Sequence, residues 1–104
     1  MKIVLLSVFS FLFASSAIAG NMNCGGKILH VMGGHYSCGG FVAFKTESSN
    51  MWMCSQSKDA DSVILAGFMA DKSTYTAIIG TDTANSECSE LPHYRKISYV
   101  ILNK

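Results

Sequence analysis

From Cys24 onward the apolar positions fall into short runs separated by paired glycines and polar clusters. Lys27 to Met32, rich in Ile, Leu and Val between Gly25-Gly26 and Gly33-Gly34, predicts a first strand. Tyr36 to Thr46 predicts a second, kinked at Gly39-Gly40, because paired glycines within a strand mark a bulge or bend. Glu47-Ser48-Ser49-Asn50 is turn chemistry, and Met51-Trp52-Met53-Cys54 returns as a third strand. With Ser48-Ser49 as the loop, Phe44 faces Met53, Val42 faces Ser55 and Lys45 lies opposite Trp52. A slip of one residue would exchange the two faces.

Polar helix-start signals follow, with Ser57 or Asp59 as N-cap and Asp61 in the first turn. Ala60, Val63, Ile64, Leu65, Phe68 and Met69 keep helical spacing until Asp71-Lys72-Ser73, so a helix is predicted over 59–71. Its apolar stripe is broad, which predicts that most of it is buried. Thr74 to Gly80, β-branched and aromatic, predicts a fourth strand. Thr81 to Pro92 is polar, holds Cys88 and the only proline, and reads as a long loop. Tyr94 to Leu102 alternates, with Ile97, Tyr99 and Ile101 on one face and Lys96 and Ser98 on the other, and predicts a fifth strand. The order β-β-β-α-β-β predicts a mainly β domain with one α-helix, in the chain order of a small OB-like five-stranded barrel. A flat sheet crossed by one helix would share that order.

Composition changes this picture at the N-terminus. Lys2, the apolar run Ile3 to Phe13 and the small-residue site Ala17-Ile18-Ala19 read as a secretory signal peptide over residues 1–19. That run is too short for a membrane span, and no second such run follows it, so no transmembrane segment is expected in the mature chain. Residues 20–104 are then a single domain of 85 residues, secreted or periplasmic, with seven basic and seven acidic side chains. Neutrality gives no footprint for nucleic acid or an anionic membrane surface. Cys24 follows Asn21-Met22-Asn23 rather than a lipobox-like pattern, which argues against a lipid anchor.

Export also decides how the cysteines read. Cys24, Cys38, Cys54 and Cys88 are an even set in a small exported chain, hence a pair of disulfides, and three connectivities are open. Their wide spacing lacks the close ligand pairs of a zinc site, so no metal is expected. Two such bridges contribute about 2–4 kcal/mol each, which a domain of this size needs.

The run Tyr36-Ser37-Cys38 with Met51-Trp52-Met53-Cys54-Ser55, a polar helix start and the helix resembles the B subunits of AB5-type bacterial toxins, in the subtilase-cytotoxin and pertussis-like branch. The resemblance covers Tyr36 to Leu102. It implies an OB fold, a ring-shaped homopentamer, an A subunit as possible partner, and binding of cell-surface glycans, often sialylated. It also implies the hairpin bridge Cys38–Cys54, and on that ground Cys38–Cys54 with Cys24–Cys88 is the preferred set. The chain is shorter than many such subunits, and Cys24 and Cys88 have no assigned counterpart in that pattern.

No catalytic constellation emerges, and no cofactor is expected. His30 and His35 flank a Gly-Gly turn, where ordinary polarity outweighs a metal pair. Asp59 and Asp61 stand where carboxylates favour a helix dipole. The paired glycines lack the following helix and Lys-Ser/Thr of a phosphate cradle. Binding is better motivated. If Met51 and Met53 are core, Trp52 points outward, and with Tyr36 and Ser37 beside the cysteines it forms a candidate glycan contact. The structural alternative has Trp52 covering a disulfide or packing under the helix. On the helix, Val63, Ile64 and Phe68 are candidates for an oligomer interface, against a helix wedged in its own barrel. The competing function is a monomeric periplasmic inhibitor or immunity-type protein that blocks an enzyme with the Thr81–Pro92 loop; a purely structural envelope protein is a third.

Overall fold

The computed structural model describes residues 20–80 and 86–104. The expected signal peptide and residues 81–85 of the Thr81–Pro92 loop lie outside the described residues. The elements are β1 (Gly20–Asn23), β2 (Gly26–Met32), a 3-10 turn (Tyr36–Cys38), β3 (Ala43–Thr46), β4 (Met53–Cys54), α1 (Lys58–Ala70), β5 (Ser73–Gly80), a second 3-10 turn (Cys88–Glu90), β6 (Arg95–Lys96) and β7 (Tyr99–Leu102). Mainly β with one α-helix is therefore the class of the described residues. No helix among them is long and apolar enough to cross a membrane.

The strands form one curled, barrel-like sheet in the order β1-β5-β2-β3-β4-β6, with β7 also on β5. β1 and β2 follow a continuing register on β5, from Gly20↔Gly80 to Lys27↔Ser73. Between them Asn23 turns its side chain onto the backbone, and its Oδ1 accepts from the amides of Gly25 (2.8 Å) and Thr76 (3.0 Å). A Cβ at position 25 would collide with the Thr74 carbonyl, so only glycine lets β5 approach here. A bulge between Ile28 and His30 then hands β2 over to β3.

The β3–β4 hairpin has the register that the Ser48-Ser49 loop predicts. Phe44 pairs with Met53 and Ala43 with Cys54, and the Ser55 amide donates to the Val42 carbonyl. Met51 and Met53 face inward and are buried, as are Phe44, Ile64, Ile78 and Ile97, and these form the main core with Cys24, Ile28 and Leu91. Each such side chain contributes about 1.5–3 kcal/mol on burial.

Three expectations need correction. The stretch from Tyr36 is not a strand until Ala43; Tyr36–Cys38 is a 3-10 turn and Gly39-Gly40 a reversal at positive φ. The single strand Tyr94–Leu102 is two: Ile97 donates to Cys54 and Ser98 to Ala77, so the chain leaves β4 and joins β5 within two residues. That crossing turns Ile97 inward and leaves Tyr99 and Ile101 exposed. With β1, which the pattern did not predict, the described residues hold seven strands where five are expected.

The helix starts one residue before the predicted span and ends one residue before its end. Ser57 is the N-cap, its hydroxyl accepting from the Ala60 amide at 3.0 Å, and Asp61 accepts from the Val42 amide. The third correction concerns burial. Only Ile64 and Gly67 of α1 are buried, because the helix lies across β2 and β7 on one side and none of the described residues covers its back. Both disulfides have the preferred connectivity, Cys24–Cys88 and Cys38–Cys54. They fit an oxidising compartment and hence an exported chain.

Candidate functional site

The Cys38–Cys54 bridge, Cα–Cα 5.2 Å, ties the 3-10 turn to β4 and organises a second, smaller cluster. Cys38, Ala43 and Cys54 are buried in it, and Met32, Trp52 and Tyr94 pack against them. The turn itself is capped by a histidine. His35 stands at the N-cap with extended backbone, and its Nδ1 accepts from the Ser37 amide at 3.0 Å. Gly39 at φ 62° and Gly40 at φ 88° reverse the chain in the left-handed region where a Cβ is penalised.

From this turn an aromatic ridge runs to Trp52. The His35 ring stacks on Tyr36 (centroids 4.7 Å, interplanar 21°) and on Tyr94 (4.2 Å, 14°). Tyr94 holds the left-handed region at φ 66°, unusual for a bulky residue. Its amide donates to the Trp52 carbonyl at 2.7 Å, while the Trp52 amide donates to His93 Nδ1 at 3.1 Å. The neighbours His93 and Tyr94 thus hold both backbone groups of Trp52.

Trp52 covers the Cys38–Cys54 cluster rather than the helix and is only half-buried. It is not a bare plate. The Lys45 ammonium lies 4.8 Å from its ring centroid and also donates to Asn50 Oδ1. The His30 ring is 6.3 Å away, tilted by 58°. Tyr36 is the open surface of the ridge, 87% exposed. Ser37 is partly buried, with its amide taken by His35. The three residues expected to contact a ligand therefore share one surface, joined through His35 and Tyr94.

Asn50, Met51, Ser89, Leu91 and His93 line a recess of about 160 Å³ next to Trp52. That is below the roughly 300–1,000 Å³ of a pocket that encloses a small molecule. No group of three or more metal-ligating side chains is placed to hold an ion among the described residues.

The expected interface residues divide. Ile64 is fully buried in the core and anchors α1 to the sheet, so it presents nothing to a partner. Val63 is partly buried and lines a shallow groove between α1 and β7. Phe68 is exposed, and the outward face it belongs to is completed by Leu65 and Met69.

His35, His93, Tyr94 and Lys45 also belong to the site, beyond the residues the sequence pattern points to. Lys45 had a usable signal in its position opposite Trp52. Tyr94 and His93 had none, because they reach the ridge only through the parallel pairing of β6 with β4, Met53↔Arg95. No protein-family model, no curated protein and no solved structure matches this chain.

Proposed function

We propose that this chain is an exported, non-enzymatic recognition protein that binds a cell-surface glycan across the ridge Tyr36–His35–Tyr94–Trp52. The observation that carries the reading is the exposure of Tyr36 on a turn fixed by a disulfide and backed by two stacked rings. A rigid aromatic face costs little conformational entropy to present, and a sugar offers it an apolar C–H face. The partly buried Ser37, the Asn50 amide and the Lys45 ammonium supply polar partners beside it.

The strand pairings support an OB-like reading of the barrel. Taken as one bent strand each, β1–β2 and β6–β7 reduce the seven segments to five, which pair in a closed circuit through β3, β4 and β5. The helix sits between the third and fourth of them. Leu65, Phe68 and Met69 form the apolar face that a homopentameric, toxin-B-subunit-like ring would cover, and an A subunit would be a further partner.

The alternative reading is a monomeric inhibitor or immunity-type protein. Its motivating feature is the Cys88–Glu90 turn, ordered by reciprocal bonds between Glu87 and Glu90 and pinned to Cys24. Light scattering on oxidised residues 20–104 separates the two. A mass near five monomers, with glycan-array signals that Tyr36→Ala removes, is the expected result. A monomer that captures no glycan overturns the proposal in favour of the inhibitor.

A further inference from the structure

The chain has three histidines, at positions 30, 35 and 93, and all three meet at the ridge. Two of them do the same chemical job. His35 Nδ1 accepts the Ser37 amide and His93 Nδ1 accepts the Trp52 amide, so each holds the backbone of a residue assigned to ligand contact. A neutral imidazole has one acceptor nitrogen; an imidazolium has none. A ring that accepts at Nδ1 carries its proton on Nε2, and a second proton must displace the amide.

We propose that the ridge is a proton-operated recognition surface, in which neutral His35 and His93 clamp the Ser37 and Trp52 amides, and acid opens both clamps and releases the ligand. The release half rests on the glycan-binding reading; the clamps do not. The bonds are present where the rings are neutral and are lost where they are protonated, because an imidazolium has no acceptor nitrogen.

The surrounding charges set how each clamp opens. Beside the Trp52 ring stand the Lys45 ammonium and the His30 ring, so a new cation on His93 adds to charge of the same sign; the Tyr94 ring lies 6.2 Å from that of His93, and the Arg95 guanidinium reaches the Ile79 carbonyl. On the preceding turn the Glu90 carboxylate is engaged by the Glu87 amide. Around His35 the ionisable groups in ring contact are the phenols of Tyr36 and Tyr94. Their π-faces attract an imidazolium, so that ring keeps its stack while it loses the Ser37 amide. Acid therefore shifts the Trp52 segment and loosens the Tyr36–Cys38 turn without unstacking Tyr36.

An amide-resolved NMR titration of the oxidised protein tests this. The Ser37 and Trp52 amides are expected to move sigmoidally, each in step with its own histidine ring. Their exchange protection, corrected for intrinsic rates, is expected to fall about tenfold, the worth of one hydrogen bond. His93→Gln and His35→Asn supply acceptor oxygens that do not titrate. The first should flatten the Trp52 response and leave Ser37 titrating, and the second should do the reverse. Static amides in the wild type, or a Trp52 response that survives His93→Gln, overturn the clamps. A glycan array read at neutral and acid pH tests release: signals undiminished in acid overturn that half alone, and no signals at either pH overturn the glycan-binding reading on which it rests.

Discussion

The two disulfides hold the molecule in different ways. Cys24–Cys88 joins residues 64 apart in sequence, and Cys24 is fully buried in the main core beside Ile28, Phe44 and Ile78. Cys38–Cys54 joins residues 16 apart, in a small cluster with Ala43, against which Met32 and the ridge residues Trp52 and Tyr94 pack. The loop closed by the first bridge contains β2 to β5 and the helix; that of the second contains one turn and one hairpin. The first bridge therefore constrains the unfolded chain, while the second shapes a surface that apolar burial alone would not fix.

This difference has a size. Chain entropy assigns about 4 kcal/mol to a loop of the first length. Replacing Cys24 and Cys88 together by alanine is expected to lower the unfolding free energy by that amount in urea under non-reducing conditions. The Ser37 and Trp52 amide resonances of the remaining folded protein should stay in place. The same double replacement at Cys38 and Cys54 should cost about 3 kcal/mol, and it should move those resonances because the turn loses its tie to β4. A larger cost at the short loop, or an undisturbed ridge without its bridge, breaks the comparison.

The main-core region was largely legible in the sequence and the ridge region was not. Phe44 opposite Met53 follows from turn chemistry and a period of two, both local signals. Ser57 as N-cap and the strand from Thr74 are local in the same sense. The Tyr36–Cys38 turn mimics a strand in its apolar and aromatic content. What overrides that content is a histidine cap and two glycines at positive φ. The split after Lys96 was equally hidden: Ile97 and Ser98 take partners 43 and 21 residues away, and no local pattern encodes that. The site inherits this blindness: Trp52, Tyr36 and Ser37 are legible, but the histidines that hold the Trp52 and Ser37 amides come from the segment before β6 and from the N-cap of the turn.

A smaller effect sharpens the comparison from the core side. Thr46 is buried on β3, and its hydroxyl donates to the Cys24 carbonyl at 2.7 Å. Thr46→Val keeps the volume and the β-branch but leaves a buried carbonyl without that donor. The expected loss is about 1–2 kcal/mol, read by denaturant unfolding, with no change at the ridge. A loss of similar size at Ser37 or Trp52 protection would mean that the two regions open as one unit.

The smallest expected stability effect carries the most functional weight. Tyr36 is nearly free of the fold, so Tyr36→Ala removes a stack on His35 and little buried area. Its unfolding free energy should stay within about 0.5 kcal/mol of the wild type, as for other surface substitutions. Trp52→Ala should differ, because Trp52 both covers the Cys38–Cys54 cluster and carries the Lys45 contact. Glycan capture that falls in both variants, with stability lost only in the second, is what a surface built for recognition requires. If Tyr36→Ala left capture intact while Trp52→Ala abolished both capture and folding, the ridge would be a structural lid on the disulfide and nothing more.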